Sequence, residues 1–394
     1  MEKSKQKYLY AFSYILLYMA FSFAMTQFTP FLSKLGYDSM QRGILLSSYA
    51  FTTIVFQMLF GFLCDKYSSI KKFVVAALMI YAVSTYLFYR METQFFIYHV
   101  IVIAFSGGLV NTTCGLCDAW VLGADKYLRK NLSFIKTFGS IGWATGSIIL
   151  SSIISRFGYN GVGNGILILC IISLGVLHFI KDVDRHTDKS TGKLGLADIK
   201  ELILNKRYSL LVFILFLMYC VIITNNTAVV DKMLSIGATD LQIGYKWSIQ
   251  SMIEIPTYLF GSYFLRKFNH YSLLKVSALA LTIQFVLLGM SSSITQIIAL
   301  SAFQMLTTPL VMITSQTLIY GLTSEKMKAT GQLFALSIFT GVSSLLVPAG
   351  AGVMTRYFSP STTLFTAASL GALAFVLINA LKKCDIVYKG TVVE

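Results

Sequence analysis

Asn111-Thr112-Thr113-Cys114-Gly115-Leu116-Cys117-Asp118-Ala119-Trp120 and Ser133-Phe134-Ile135-Lys136-Thr137-Phe138-Gly139-Ser140-Ile141-Gly142-Trp143 decide how this chain is read. Each run belongs to an apolar helix long enough to cross a bilayer, yet each carries one charge, Asp118 or Lys136. A charged side chain at the centre of such a helix costs about 2.5–3.5 kcal/mol on insertion. Opposite charges on consecutive antiparallel helices offset that cost by pairing, and they can line a wet cavity. Trp143 follows Lys136 by seven residues and shares its helical face, with Gly139 and Ser140 between them. That face presents a cation, two small residues and a flat ring, which suits a polar, ring-shaped solute.

The rest of the chain fits a membrane setting. Of 394 residues, 56% are hydrophobic and only 12% charged, and the mean hydropathy is +0.70. Soluble domains carry about 25% charged residues, so the expected fold class is an all-α membrane protein. The N-terminal Met1-Glu2-Lys3-Ser4-Lys5-Gln6-Lys7 leads into a full-length span, and no cleavable signal is expected.

Twelve transmembrane helices are predicted, at 8–31, 42–63, 73–90, 95–122, 136–155, 164–180, 209–230, 243–264, 273–290, 296–320, 331–355 and 362–381. With both termini cytoplasmic, 24 of the 32 basic residues fall on the inner side, as the positive-inside rule requires. That bias also accounts for the net charge of +15 without nucleic acid as a partner. The expected location is the cell membrane, multi-pass, with the lipid bilayer as surroundings and a monomer as the working unit.

The polar stretch 181–207 divides the spans six and six. The expected organisation is a bundle over 1–180, a central cytoplasmic loop over 181–207 and a second bundle over 208–394. Leu59-Phe60-Gly61 and Leu259-Phe260-Gly261 repeat at an offset of 200, each followed by basic residues. A six-plus-six duplication with solute held between the halves is the architecture of the major facilitator superfamily. Gly61-Phe62-Leu63-Cys64-Asp65-Lys66-Tyr67, followed by Lys71 and Lys72, resembles that superfamily's loop motif between spans two and three, with Ser68 in place of the usual glycine. The resemblance implies gating roles for Gly61, Asp65 and Lys66, with Gly61 permitting close helix packing.

A closer likeness is to the lactose permease branch, the oligosaccharide:proton symporters. Arg42-Gly43-Ile44 through Phe56-Gln57-Met58-Leu59-Phe60-Gly61 is similar to its second span, and Phe138-Gly139-Ser140-Ile141-Gly142-Trp143 to its fifth. The resemblance implies that Asp118 and Lys136 grip sugar hydroxyls while Trp143 stacks on the ring. Lysine where that branch has arginine loses a planar two-pronged donor, and aspartate for glutamate shortens the reach.

In span eight, Trp247, Gln250, Ser251, Glu254 and Tyr258 form one polar stripe at helical spacing. Substrate-binding candidates are therefore Asp118, Lys136, Trp143, Glu254, Gln250, Tyr258, Asn226 and Gln304. The branch's proton-handling histidine and glutamate in span ten correspond to Gln304 and Thr307, and its span-nine arginine to Gln284. Ion coupling then falls to Glu254, Asp118 or Asp231, since intramembrane carboxylates mark pathways. Asp231 is expected near the outer surface, paired with Lys232 or Arg356. Lys246 is expected to snorkel to the headgroups, His99 and His178 to pack at span ends, and Gln27 is a further candidate for the cavity.

Cys114 and Cys117 have metal-like spacing but no second ligand pair, and no disulfide, metal or cofactor is expected. Neither paired catalytic carboxylates nor a nucleophile elbow appears, so the chain is not read as an enzyme. The expected function is secondary active transport of a small polar solute, a sugar or glycoside, by alternating access, with protons as the candidate coupling ion. The alternatives are a nucleoside or small aromatic acid as solute, or a membrane sensor that does not transport.

Overall fold

Backbone polar groups in a bilayer must be satisfied within their own segment, so an apolar chain of this length folds as helices. The computed structural model describes residues 2–67, 69–124, 126–182, 204–323 and 328–391. In the first part of the chain, α1 (Glu2–Met25) is followed by the short α2 (Phe28–Lys34), then α3 (Ser39–Tyr67), α4 (Lys71–Arg90), α5 (Phe96–Ala124), the one-turn α6 (Lys126–Lys130) and α7 (Leu132–His178). The second part holds α8 (Lys206–Thr224), α9 (Ala228–Ser235), α10 (Asp240–Lys267), α11 (His270–Met290) and α12 (Ile294–Leu300). A 3₁₀ stretch (Ser301–Leu306), α13 (Thr308–Leu322), α14 (Lys328–Leu336), a π-helical turn (Ser337–Val342), α15 (Ser343–Tyr357) and α16 (Pro360–Thr391) complete it.

Ten helical stretches among the described residues are long and apolar enough to cross a membrane. Phe134–His178, one of them, is 45 residues long. It is broken at Gly158, whose φ of 62° and ψ of −167° leave the helix. Ile153 lies 3.7 Å from the Cβ position of Gly165, so the two arms fold back on each other. Only glycine takes that backbone conformation at little cost, which places the predicted break of 156–163 at one residue. The 28-residue α10 is the right length but carries the polar stripe, and so falls outside the apolar set.

Two buried cores form, one from Tyr10 to Ile180 and one from Tyr208 to Leu381. Two tyrosine hydroxyls inside the first core find backbone acceptors, which offsets their burial: Tyr81 donates to the Ala20 carbonyl at 2.7 Å and Tyr89 to the Ala24 carbonyl at 2.7 Å. The helix breaks echo each other. α1 gives way to α2 at Thr26–Gln27, and α8 to α9 at Asn225–Thr227. Between the two parts, α3 packs on α15 and α7 on α10.

Their contacts concentrate at the end of the bundle away from the chain termini. Arg42 Nη2 meets Asp231 Oδ1 at 2.5 Å, and Arg356 Nη1 meets Asp38 Oδ2 at 2.6 Å. Ser39 Oγ donates to the Gly352 carbonyl at 3.1 Å, and Ala349 N to Ser47 Oγ at 3.1 Å. Tyr159 donates to Asp240 Oδ1 at 3.0 Å. A Cβ on Gly43 would strike the Pro348 carbonyl, so α3 and α15 touch backbone to backbone there.

Gly61 lies near the end of α3. A Cβ there would meet nothing within 4 Å, although the neighbouring Phe60 packs on Phe73 of α4. The side chains of Asp65 and Lys66 lie outside the described residues, as does most of the central loop, 183–203. The described start of that loop is tied to the first bundle. Asp182 accepts from Ile70 N at 3.2 Å and Lys71 N at 3.0 Å, a carboxylate at the positive end of α4. Lys71 Nζ in turn donates to the His178 and Ile180 carbonyls, both at 2.8 Å.

Candidate functional site

Asp118 and Lys136 pair as their helices predict, Nζ to Oδ2 at 2.6 Å. The pair remains partly open, with 26% of the Asp118 side chain and 43% of the Lys136 side chain exposed. Tyr14 of α1 donates to the other carboxylate oxygen at 2.9 Å. That bond joins residues 104 positions apart, and nothing in the sequence pattern announces it. Tyr14 stacks on Tyr18 with ring centroids 5.6 Å apart, and Tyr18 begins the hollow that lies alongside.

This hollow, about 190 Å³, is lined by Tyr18, Ser140 and Trp143 from the first part and by Trp247, Gln250 and Glu254, with Ser251 beside them, from the second. Span five contributes its face because Ser140 and Trp143 lie three residues apart on one side of α7. The other small residue of that face, Gly139, packs instead against the Tyr18 ring, 3.1 Å from its Cβ position. α10 contributes the polar stripe. Gln250 accepts from Asn225 Nδ2 at 3.0 Å, and Glu254 Oε1 accepts from Gln304 Nε2 at 2.7 Å. Gln304 also reaches Thr308 Oγ1 at 2.8 Å, so its amide is held by both neighbours. Tyr258 is half-buried one turn beyond Glu254.

A second, smaller hollow of about 50 Å³ lies at the two helix breaks. Thr26 and Thr29 border it from one side and Asn226 from the other, and Trp143 and Trp247 belong to its wall as well. Asn226 enters the site here, and its backbone carbonyl accepts from Thr29 Oγ1 at 3.5 Å. The two tryptophans are thus common to both hollows. Larger grooves exist, such as that beside Met79, Val83, Leu87 and Phe105. Its lining is almost wholly apolar, as expected of a helix surface that faces lipid.

Several expectations need correction. Asp231 pairs with Arg42 of the other core; neither Lys232 nor Arg356 reaches it. Lys232 donates instead to the Gly289 carbonyl at 2.6 Å and to Ser361 at 2.9 Å. The carboxylate of Asp231 follows a helix break that turns it toward α3, and an arginine from outside its own half meets it there.

Lys246 does not snorkel. It is 2% exposed, its Nζ has no hydrogen-bond partner, and it sits 3.2 Å from the centroid of the Trp247 ring. His99 is fully buried, with Nδ1 2.9 Å from the Tyr37 hydroxyl and 3.0 Å from the Phe95 carbonyl. Gln27 is also fully buried, its Oε1 accepting from Tyr159 at 3.4 Å. Gln284 bonds the Leu300 carbonyl at 3.1 Å, a structural contact between spans.

Tyr14, Tyr18, Thr26, Thr29 and Trp247 are among the site residues that the sequence reading did not select. Trp247 did stand at the head of the polar stripe, which is the signal that marks it. Among the described residues, no group of three or more potential metal ligands occurs.

The profile of the MFS_1 like family matches residues 8–382. No curated protein matches the sequence. Among solved structures, the nucleoside transporter NupG superposes with a TM-score of 0.80 at 17% identity, covering 96% of this chain and 99% of that one. A point mutant of NupG gives 0.81 at 16% identity, covering 95% and 99%. The POT family transporter PepTSo gives 0.73 at 13% identity, covering 96% and 98%. At these identities the likeness is one of fold.

Proposed function

The chain belongs to the MFS_1 like family, and from that premise we propose that it is a secondary active transporter carrying a small, polar, ring-bearing solute by alternating access. The observation that carries this reading is the hollow between the two cores, where Trp143 and Trp247 share a wall with Gln250 and Glu254. Flat aromatic surfaces suit a ring, and the carboxylate and amide suit hydroxyls or ring nitrogens. A nucleoside has both parts in one molecule. The NupG fold likeness supports that class, and a glycoside is the second reading, supported by the Asp118–Lys136 pair beside Trp143.

The architecture proposed is twelve spans in two six-helix halves, 1–180 and 208–394, joined by the loop 181–207. The ten apolar stretches, the division of one of them at Gly158, and the polar α10 support that count. With both termini in the cytoplasm of a cell membrane, the ion-paired end is the outer one, and the structure is closed toward the outside.

Asp118, Lys136 and Trp143 are assigned to solute recognition together with Glu254, Gln250, Asn226, Gln304 and Tyr258. Glu254 is the first candidate for ion coupling, ahead of Asp118 and Asp231. Gly61, Asp65 and Lys66 belong to the cytoplasmic gate. The test is uptake by right-side-out vesicles offered a panel of labelled nucleosides and glycosides, with and without an imposed pH gradient. Saturable uptake of one class is expected, and no uptake of either would overturn the solute assignment.

A further inference from the structure

A groove of about 350 Å³ runs between α11 and α16, on a surface turned away from the solute hollow. The two helices lie antiparallel. Lys275 meets the Phe375 ring, the Cβ position of Gly371 meets Thr282, and that of Gly289 meets Phe365. The start of α11 and the Lys382 end of the groove therefore coincide, and in the orientation proposed above both are cytoplasmic. Val276 and Leu279 in its wall are 46% and 43% exposed, so the groove is open to the bilayer.

Its polarity changes along its length. Tyr271, Ser272 and Lys275 occupy the first turns of α11, and Asn379 and Lys382 face them from α16. Deeper in the bilayer the wall is Val276, Leu279 and Phe375. At 1.5 Å per residue, Leu279 lies about 12 Å further in than Tyr271. The Lys275 Nζ sits 4.7 Å from the centroid of the Phe375 ring, which holds the side chain along the groove. Among the described residues, neither Lys275 nor Lys382 has a carboxylate partner. Two other grooves on the helix surfaces, beside Met79 and Leu87 and beside Phe213 and Phe334, carry no charged side chain. Two cations and several hydrogen-bonding groups at headgroup level, above an apolar trough, match the layout of a phospholipid. Basic pockets between spans on the cytoplasmic side suit anionic head groups.

We propose that this groove binds an anionic phospholipid of the cytoplasmic leaflet, with its phosphate held by Lys275 and Lys382 and an acyl chain along Val276, Leu279 and Phe375. A zwitterionic head group brings its own cation, which the two lysines repel. A head group such as phosphatidylglycerol has a net negative charge, and its hydroxyls suit Tyr271, Ser272 and Asn379. The site belongs to the pairing of α11 with α16 and is independent of which solute is carried.

The experiment is native mass spectrometry of the full-length protein titrated in detergent with phosphatidylglycerol or phosphatidylcholine of identical acyl chains. One lysine at a membrane surface contributes about fivefold to the binding of an anionic lipid. Wild type is therefore expected to retain phosphatidylglycerol about twentyfold better than phosphatidylcholine. Lys275→Gln with Lys382→Gln should bring that ratio close to one, and Lys275→Arg with Lys382→Arg should keep it. Lys206→Gln with Lys267→Gln removes the same charge from other exposed positions and should also keep it. The single glutamine variants, each losing about fivefold, carry the test should the double variant fail to fold. Equal retention of both lipids by wild type would overturn the inference. So would a wild-type ratio in the glutamine variants of Lys275 and Lys382, or an equal loss in the Lys206 and Lys267 control.

Discussion

Arg42 and Asp231, 189 positions apart, meet at 2.5 Å with side chains 12% and 5% exposed, and so join the two cores across the closed end of the bundle. Arg42 also donates to the Tyr37 carbonyl at 2.5 Å, which fixes the guanidinium on its own side of the junction. The second cross-core pair, Arg356 with Asp38, is exposed to 46% and 36%. The two differ in consequence. Removing one partner of a buried pair costs about 3–5 kcal/mol because a charge is left stranded, whereas an exposed pair is worth about 0–1 kcal/mol.

Asp231→Asn is therefore expected to shift the population toward opening at this end, and Asp38→Asn to change it little. Electron–electron distances between spin labels on the paired ends of α3 and α15 provide the measurement. Equal distributions for Asp231→Asn and wild type would remove the latch role from the buried pair.

The contact between α3 and α15 gives a steric counterpart. Gly43→Val puts side-chain atoms into the Pro348 carbonyl and should favour the separated arrangement of these helices, with loss of transport. Gly61→Ala, facing open space, should leave the distance distribution of this structure unaltered, and any cost should fall on the turnover rate. The same spin-label pair reports both variants; a Gly43→Val protein with the wild-type distribution would contradict the backbone contact.

Asp118 holds Lys136 and accepts from Tyr14 at once. Asp118→Asn keeps the shape but removes the charge that neutralises Lys136. Uptake should be abolished while the protein still reaches the membrane, and Trp143→Ala should behave likewise. Tyr14→Phe, which deletes one hydrogen bond to a carboxylate, should reduce uptake about tenfold or more without abolishing it, since a bond to a charged group contributes about 1.5–3 kcal/mol. Quantifying membrane-inserted protein alongside initial uptake separates loss of function from loss of expression. Normal uptake by both Asp118→Asn and Trp143→Ala would detach this pair from solute recognition.

Glu254 accepts from Gln304, and Gln304 spans on to Thr308. Glu254→Gln preserves size and polarity but cannot lose or gain a proton. Solute exchange at equal concentrations should persist, and uphill accumulation under an imposed pH gradient should stop. Unchanged accumulation in this variant would take Glu254 out of the coupling role.

The sequence reading and the structure agree where the physics is local. Whether a segment of about 20 residues enters a bilayer depends on its own hydropathy, so the helices, the break near Gly158 and the polar stripe of α10 were legible one stretch at a time. The Asp118–Lys136 pair was legible too, because short loops force consecutive helices to lie antiparallel. Lys246 shows the limit. Its position in the chain fits a snorkelling residue, and only the neighbouring helices, by enclosing it, leave its amine buried against the Trp247 ring.

By itself the sequence determined a bundle of apolar helices carrying a few costly polar groups, since insertion cost is a property of each helix alone. The tertiary structure decided which of those groups meet: Tyr14 with Asp118, Arg42 with Asp231, and Trp143 with Trp247 around a common hollow. These partners lie roughly a hundred or more positions apart, and their approach depends on the relative placement of helices, for which no periodicity within a single span carries a signal.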